Sequence, residues 1–365
     1  MRVAVIGLGL IGGSLALAAT ARGDQVVATD RDETAGEIGL DRGAIARFEP
    51  TIDGALDGAD LAFVCGPVAE LASLTGQALE AAPSGCAVSD VGSTKGRLVA
   101  QVGSNPQFVG GHPVCGSEAR GVANARPELF DGATWFLTPV ADTDPSAHRR
   151  LHTFVSSLGA RPVAIDPDAH DRLVALTSHL PHALANVLVN QAGAGRVDGH
   201  DPLAAVGGSF RDMTRVAGAN PRIWVDIFLD NREALASVLR EHQRSLAEVL
   251  TALEAGDAGY LARWIGQSSG HRRRALEAQF DQRPEELYRV QVHVPDRPGV
   301  FAGITQALGA ARINIEDFEL HHFTPERGGT VELLVAGREA AEAAVELLDA
   351  QGYGALAAPV LADAT

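Results

Sequence analysis

The sequence predicts an α/β chain in three parts: an N-terminal parallel-sheet domain over residues 1–165, an all-helical middle domain over 166–284, and a small C-terminal α+β domain over 285–365. Three observations carry this reading. Short apolar runs alternate with helical stretches as far as Ile165, the pattern of a parallel sheet covered by helices on both faces. From Asp168 to about Phe280 the helical patterns are long and no convincing strand interrupts them. Beyond Leu287 the order is strand, helix, strand, strand, helix, strand, which describes a ferredoxin-like module.

Composition narrows the function classes. With 46% hydrophobic and 21% charged residues over 365 positions, the chain reads as an ordinary soluble protein able to bury more than one core. Thirty Lys plus Arg against 46 Asp plus Glu leave a formal net charge of −16, which argues against nonspecific attraction to nucleic acid or an anionic membrane. An anionic substrate therefore needs local cations. The three cysteines, Cys65, Cys86 and Cys115, have no metal-ligand spacing, and their odd number argues against a disulfide framework, so a reducing cytoplasm is expected. Cys115 is either a reactive thiol or a small apolar filler, and the filler is the expected role. Arg2 followed by an apolar run from Val3 to Ala19 imitates a signal peptide, but glycines at 7, 9, 12 and 13 interrupt it at spacings with another explanation.

That explanation is a strand, Val3–Ile6, followed directly by Gly7-Leu8-Gly9-Leu10-Ile11-Gly12 and a helix over Ser14–Arg22. In this Rossmann-type arrangement Gly7 permits the tight turn, Gly9 lets the backbone approach a pyrophosphate, and Gly12 lets helix and strand pack closely. The helix N-terminus, with Leu10 and Ile11 in its first turn, faces the phosphates. A second strand, Gln25–Thr29, ends in Asp30, an acid placed to bind ribose hydroxyls and repel a 2′-phosphate; NAD is expected over NADP, with Arg31 pulling the other way. Strands at Leu61–Val64 and Ala87–Val91 precede helices at about 67–82 and from about Thr94, and Ala133–Leu137, Pro145–Leu158 and Arg161–Ile165 complete the domain.

Candidate chemistry collects around Gly110-Gly111-His112-Pro113-Val114-Cys115-Gly116-Ser117-Glu118, which holds an imidazole at a strand end. His112 suits proton transfer near neutral pH, although a lone histidine in a strand-to-helix loop is the bland alternative. In Val91-Gly92-Ser93-Thr94-Lys95-Gly96, Ser93 can hydrogen-bond His112 or the nicotinamide, or cap a helix. In the middle domain, Thr177-Ser178-His179-Leu180-Pro181-His182 should kink a helix at Pro181 and set His179 and His182 on one face. No further ligand has suitable spacing, so no metal is expected. Within Gly207-Gly208-Ser209-Phe210-Arg211-Asp212-Met213-Thr214-Arg215, an arginine fork suits a carboxylate, and Asp212 could orient Arg215.

Gln282-Arg283-Pro284 reads as a linker. After it come a strand at Leu287–Val294, the turn Asp296-Arg297-Pro298-Gly299, a helix at Val300–Ala310, strands at Ile313–Phe323 and Thr330–Val335, a helix at Glu339–Leu348 and a last short strand.

Taken together, GxGxxGG, VGSTKG, GHPVCGSE, SHLPH and FRDMTR, in that order, resemble the prephenate and arogenate dehydrogenases of tyrosine biosynthesis. The opening DRPG and Asn314-Ile315-Glu316-Asp317 resemble an ACT module, so the likeness spans nearly the whole chain. The resemblance implies NAD-dependent oxidative decarboxylation of prephenate to 4-hydroxyphenylpyruvate, with His112 accepting the hydroxyl proton and Ser93 orienting histidine and substrate. It implies Arg215 as partner of a substrate carboxylate, His179 as a substrate-binding histidine, and Glu118, Asp212 and Trp224 as residues shaping the pocket. The ACT module implies an amino-acid effector, tyrosine foremost, near Pro298, Gly299, Val300, Asn314 and Ile315, and a homodimer or higher assembly.

The alternatives are an arogenate (cyclohexadienyl) dehydrogenase, a 3-hydroxyacid dehydrogenase, and a non-catalytic NAD- and amino-acid-sensing protein. The second typically relies on a lysine in the helical domain, and residues 166–280 contain none. A sensor would not need His112, Ser93 and Arg215 together.

Overall fold

The computed structural model describes residues 1–115, 119–279, 287–324 and 328–360. Glu118 and the expected linker at Gln282–Pro284 lie outside the described residues.

The chain divides into two compact units, residues 1–244 and 245–365. The first opens with β1 (Arg2–Ile6), α1 (Leu10–Ala21), β2 (Gln25–Thr29), α2 (Glu33–Asp41), β3 (Arg47–Phe48), α3 (Ile52–Leu56), β4 (Leu61–Val64), α4 (Val68–Ala81), β5 (Ala87–Asp90) and α5 (Gly96–Val102). All five strands pair in parallel, in the order β3-β2-β1-β4-β5. The chain grows outward from β1 to one side, then returns to build on the other. The turn after β1 therefore sits where the strand order reverses, the usual place for a ligand in an open α/β sheet. Residues of β1, β4 and β5 are buried almost throughout because helices cover both faces.

Sequence periodicity missed α2, β3 and α3. These are short elements fastened by caps and small residues: Asp32 accepts from the Thr34 amide, Thr51 accepts from the Gly54 amide, and a Cβ at Gly36 would lie 2.4 Å from the Phe48 ring.

A second sheet follows, from β6 (Gly110–Pro113), β7 (Thr134–Thr138), α6 (Pro145–Ser157) and β8 (Arg161–Ala164), with β6 antiparallel to β7 and β7 parallel to β8. One bridge, Val88 with Phe108, continues the parallel pattern from β5 toward β6. The reversal after β6 has a simple cause: among the described residues, two 3₁₀ turns, at 122–124 and 127–130, and no crossover helix connect β6 to β7, and a chain so connected returns antiparallel. His112 is consequently the third residue of a paired strand, opposite Phe136, and among the described residues no helix follows it directly.

The remaining helices of the unit are α7 (Pro167–Val174), α8 (Leu180–Ala194), α9 (Gly208–Thr214) and α10 (Pro221–Asp230), and α11 (Arg232–Ala255) contains the division at Arg244. A π-helical turn at Ala175–His179 joins α7 to α8, with Pro181 in the first turn of α8. The wide turn absorbs the missing N–H of Pro181 where the sequence predicts a kink.

The second unit contains α12 (Ala258–Gln279), β9 (Leu287–Val294), α13 (Val300–Ala310), β10 (Asp317–Thr324), β11 (Gly328–Ala336), α14 (Arg338–Ala350) and β12 (Gly354–Pro359). Its sheet is antiparallel in the order β10-β11-β9-β12, the expected ferredoxin-like layout. Alternate residues of β9 and β11, including Val290, Val292, Val331 and Leu333, face Ile304, Leu308, Ala344 and Leu348 in one apolar core. Among the described residues, no helix is long and apolar enough to cross a membrane.

Candidate active site

The glycine loop is built by main-chain geometry. Gly7 has φ +101°, and a Cβ there would lie 2.6 Å from the Cys65 carbonyl oxygen; a Cβ at Gly12 would lie 2.0 Å from the Gly7 oxygen. Gly9, the N-cap of α1, has open space in front of it, and the amides of the first helical turn, including those of Leu10 and Ile11, have no partner within the helix. Asp30 is pinned: its carboxylate accepts from the Leu8 amide at 2.6 Å and the Asp32 amide at 2.9 Å. A cavity of about 330 Å³ borders it, lined in part by Leu8, Gly9, Thr34, Ile38 and Val122. Arg31 pairs with Glu70 at 3.3 Å. An open helix N-terminus beside a fixed acid fits a pyrophosphate and a ribose.

His112 is held by a second histidine that sequence reading did not single out. His112 Nδ1 lies 2.8 Å from His170 Nε2, and His170 Nδ1 lies 2.9 Å from an Asp171 carboxylate oxygen. Asp171 in turn accepts from the amides of Lys95 and Gly96, each at 2.8 Å, at the start of α5. Phe136 packs edge-on against His170, with ring centroids 5.3 Å apart, which limits rotation of that ring. Among the described residues, Nε2 of His112 has no hydrogen-bond partner. Burial, reinforced by His170, Lys95 and His179, pushes the His112 imidazole well below its ordinary value, so the ring is neutral at physiological pH.

Beneath the site lies an ion pair made by the only lysine of the chain. Lys95 and Asp90 are both fully buried and joined through Lys95 Nζ and an Asp90 oxygen. Asp90 also accepts from Gly92 and from Gly111, the residue before His112. Burial pulls the lysine down while Asp90 opposes the shift. The pair thus clamps the ends of β5 and β6 together and sets the height of the imidazole.

The helical side is connected to this chain of contacts through Asn231. Its amide donates to the Asp171 carbonyl at 2.8 Å and lies 3.2 Å from His179 Nδ1. His179 is buried, 1% exposed, and burial holds its imidazole down at about 4. The expected substrate-binding histidine is therefore tied to Asn231 and packed near Trp224 and Phe228. His182, its neighbour one turn on, stacks on Trp224 with ring centroids 3.3 Å apart, and its Nδ1 has no partner among the described residues. Burial, then the positive charge of Arg215, lowers the His182 imidazole, which places that guanidinium close by. Arg215 caps α9 at its C-terminus, is exposed, and makes no ion pair among the described residues. Asp212 is likewise exposed and unpaired, so the expected Asp212–Arg215 contact is absent among them.

Other expectations fare differently. Ser93 has no hydrogen-bond partner among the described residues, and the N-cap of α5 is Lys95, so Ser93 neither caps the helix nor bonds His112. Thr94 instead ties the segment to α10 through Asp230 at 2.6 Å. All three thiols are pushed up chiefly by burial, Cys86 and Cys115 to about 12, which makes Cys115 a packing residue at neutral pH. Pro298, Gly299 and Val300 precede or open α13, whereas Asn314 and Ile315 follow it. That 11-residue helix is about 16 Å long, so the two groups lie at opposite ends of it within one protomer.

Comparison with known proteins agrees with this architecture. Residues 14–164 match the family model for the nucleotide-binding domain of prephenate dehydrogenase, residues 166–267 its dimerization domain, and residues 288–352 the ACT domain. A cyclohexadienyl dehydrogenase of Zymomonas mobilis is 33% identical over 290 residues, covering 77% of this chain and 98% of that one. The crystal structure of Synechocystis arogenate dehydrogenase superposes with a TM-score of 0.69 at 30% identity, covering 75% of this chain and all of that one. The prephenate dehydrogenase of Aquifex aeolicus, in complex with hydroxyphenyl propionate and NAD+, gives 0.69 at 27% identity, covering 74% and 97%. The prephenate dehydrogenase of Bacillus subtilis is 34% identical over 328 residues, 87% of each chain, and with that similarity sustained along its length the chain belongs to the prephenate dehydrogenase family.

Proposed function

We propose that the protein catalyses NAD-dependent oxidative decarboxylation of prephenate to 4-hydroxyphenylpyruvate. The observation that carries this reading is the buried imidazole of His112, whose Nδ1 is engaged by His170 and whose Nε2 has no partner among the described residues, in the same compact unit as an open glycine loop and Arg215, which makes no ion pair among those residues. NAD held by the loop at Gly7–Gly12 and by Asp30 supplies the hydride acceptor. Nε2 of His112 takes the proton of the ring hydroxyl as the carbinol C–H bond gives up its electron pair. The ring is then a cyclohexadienone bearing a carboxylate. Cleavage of the carboxylate bond returns two electrons to the ring, and aromatisation drives that loss. Arg215 pairs with a substrate carboxylate, and His182, whose Nδ1 has no partner among the described residues, offers a second polar contact beside Trp224. Ser93, without a hydrogen-bond partner among the described residues, remains available to substrate or nicotinamide, and Glu118 and Asp212 are further candidates for the pocket. His179 is the less suited histidine because its ring is sealed against Asn231.

Feedback by an aromatic amino acid, tyrosine foremost, follows from the ACT module. Because Pro298–Val300 and Asn314–Ile315 lie at opposite ends of α13, an effector touching both sets requires two copies of the module side by side, in a dimer or higher assembly.

Absorbance of NADH tests the reading, with prephenate and arogenate supplied in turn, each with NAD or NADP, with and without tyrosine. Prephenate with NAD should give a kcat/KM at least about tenfold above the other combinations, and tyrosine should lower the rate. Absence of NADH formation with either substrate would overturn the assignment, and faster turnover of arogenate would reassign the side-chain preference.

A further inference from the structure

A histidine that acts as a base must present a lone pair, and a neutral imidazole has one lone pair and one N–H. Which nitrogen carries which is set by the partner of the other. Here the partners form a chain with a defined end. Asp171 accepts from two main-chain amides and faces His170 Nδ1 at 2.9 Å, an arrangement of N–H donors that suits a carboxylate and obliges His170 Nδ1 to be the donor. The carboxylate borders a cavity of about 600 Å³ lined in part by Arg97, Asp168, Arg172 and Asn231, so its outer edge is wetted while the His170 side chain is completely buried. A neutral His170 carries its one ring proton at Nδ1, facing the carboxylate. A neutral ring protonated at Nδ1 can only accept at Nε2. His112 Nδ1, 2.8 Å away, must then be the donor.

We infer that His170 and Asp171 are positioning residues that lock His112 in the tautomer protonated at Nδ1, leaving the lone pair on Nε2 where the substrate proton is taken. The inference rests on the reading of His112 as the base. The lock costs nothing at the moment of reaction, because the Nδ1–H bond to His170 persists, and strengthens, when Nε2 gains its proton. Asp171 then sits two bonds away as the compensating negative charge. His170 touches neither substrate nor cofactor in this role. It acts through His112.

The test uses the full-length protein with 15N-labelled histidine. Among its 12 histidines, the His112 signals are assigned by their loss in His112→Asn. The unaltered protein should show His112 Nδ1 as an N–H nitrogen and Nε2 as a lone-pair nitrogen. His170→Phe removes the acceptor: the two tautomers should mix, and kcat should fall about 10- to 100-fold with KM changed by less than about threefold. His170→Gln supplies an amide oxygen able to accept from Nδ1–H, and should restore the single tautomer and most of the turnover. A proton found on Nε2 of His112 in the unaltered protein would overturn the inference, as would near-normal turnover with a single tautomer in His170→Phe. Equal losses in the Phe and Gln variants would also overturn it, by reducing His170 to a packing role. The spectrum is read without substrate, so it separates this inference from the base assignment, which His112→Asn tests by turnover.

Discussion

The turn after β1 and the imidazole of β6 lie in one compact unit but are made in opposite ways. The first is a main-chain device whose glycines fall within one short turn, held from outside by the Thr29 carbonyl, which accepts from Gly7, by the Cys65 carbonyl beside Gly7, and by Asp30. Side chains matter there mostly by being absent. The second is a side-chain device assembled across long stretches of sequence: His112 meets a histidine 58 residues away, and the Asn231 amide reaches the Asp171 carbonyl 60 residues away. A main-chain device fails by steric intrusion. A side-chain device fails by loss of a proton site or a charge, with the backbone left standing.

The sharpest way to break the second region is His112→Asn, which keeps a polar group but removes the base. Turnover should fall by about 10²- to 10⁴-fold with a modest change in substrate affinity. In the unaltered enzyme the base form prevails once pH exceeds the His112 value, which burial holds below its ordinary range. The acid limb of the kcat/KM profile should therefore lie below about pH 6.5, and rate should be flat with respect to His112 above it. A limb centred above neutrality would show that another group is being titrated.

The first region is broken by one methyl group. Gly12→Ala places a Cβ 2.0 Å from the Gly7 oxygen, against backbone that cannot yield cheaply. NAD binding measured by calorimetry should weaken by about tenfold or more, whereas Gly9→Ala, which meets nothing within 4 Å in the free chain, should fold normally and lose affinity only by crowding the cofactor. Equal stability and affinity for Gly12→Ala and the parent would contradict the close-packed turn.

A smaller effect is expected where the substrate side is least built. Arg215 is exposed and has no ion-pair partner among the described residues, so Arg215→Gln should leave the thermal midpoint unchanged. Losing one charge-assisted contact to a carboxylate should raise KM by about ten- to a hundredfold with less effect on kcat. If kcat took most of the loss, Arg215 would belong to the transition state instead.

Much of this was legible from residue order alone. The alternation of apolar strands and helices, the glycine spacing, and Asp30 at a strand end identify the nucleotide-binding half, because these signals obey short-range rules of period and turn chemistry. The strand and helix order of the C-terminal module is equally local, and β9 and α13 fall on the expected residues. His112, Arg215 and Trp224 were visible as chemistry without addresses.

The His170–Asp171 pair was not visible, for a physical reason. Neighbouring residues on a helix ordinarily point apart, so no spacing rule pairs a histidine with the aspartate after it; their contact exists because the start of α5 brings two amides to the same carboxylate. The same holds for the only lysine of the chain, legible as a compositional oddity but given a role only when β5, β6 and α5 close around it. It holds also for the choice between His179 and His182, which share a face by periodicity and are told apart by Asn231, which occupies one ring, and Trp224, which stacks on the other. Local order thus settles which backbone shapes form and which reactive groups are on hand. The proton's position on an imidazole depends on partners dozens of residues away, and only the packed chain supplies them.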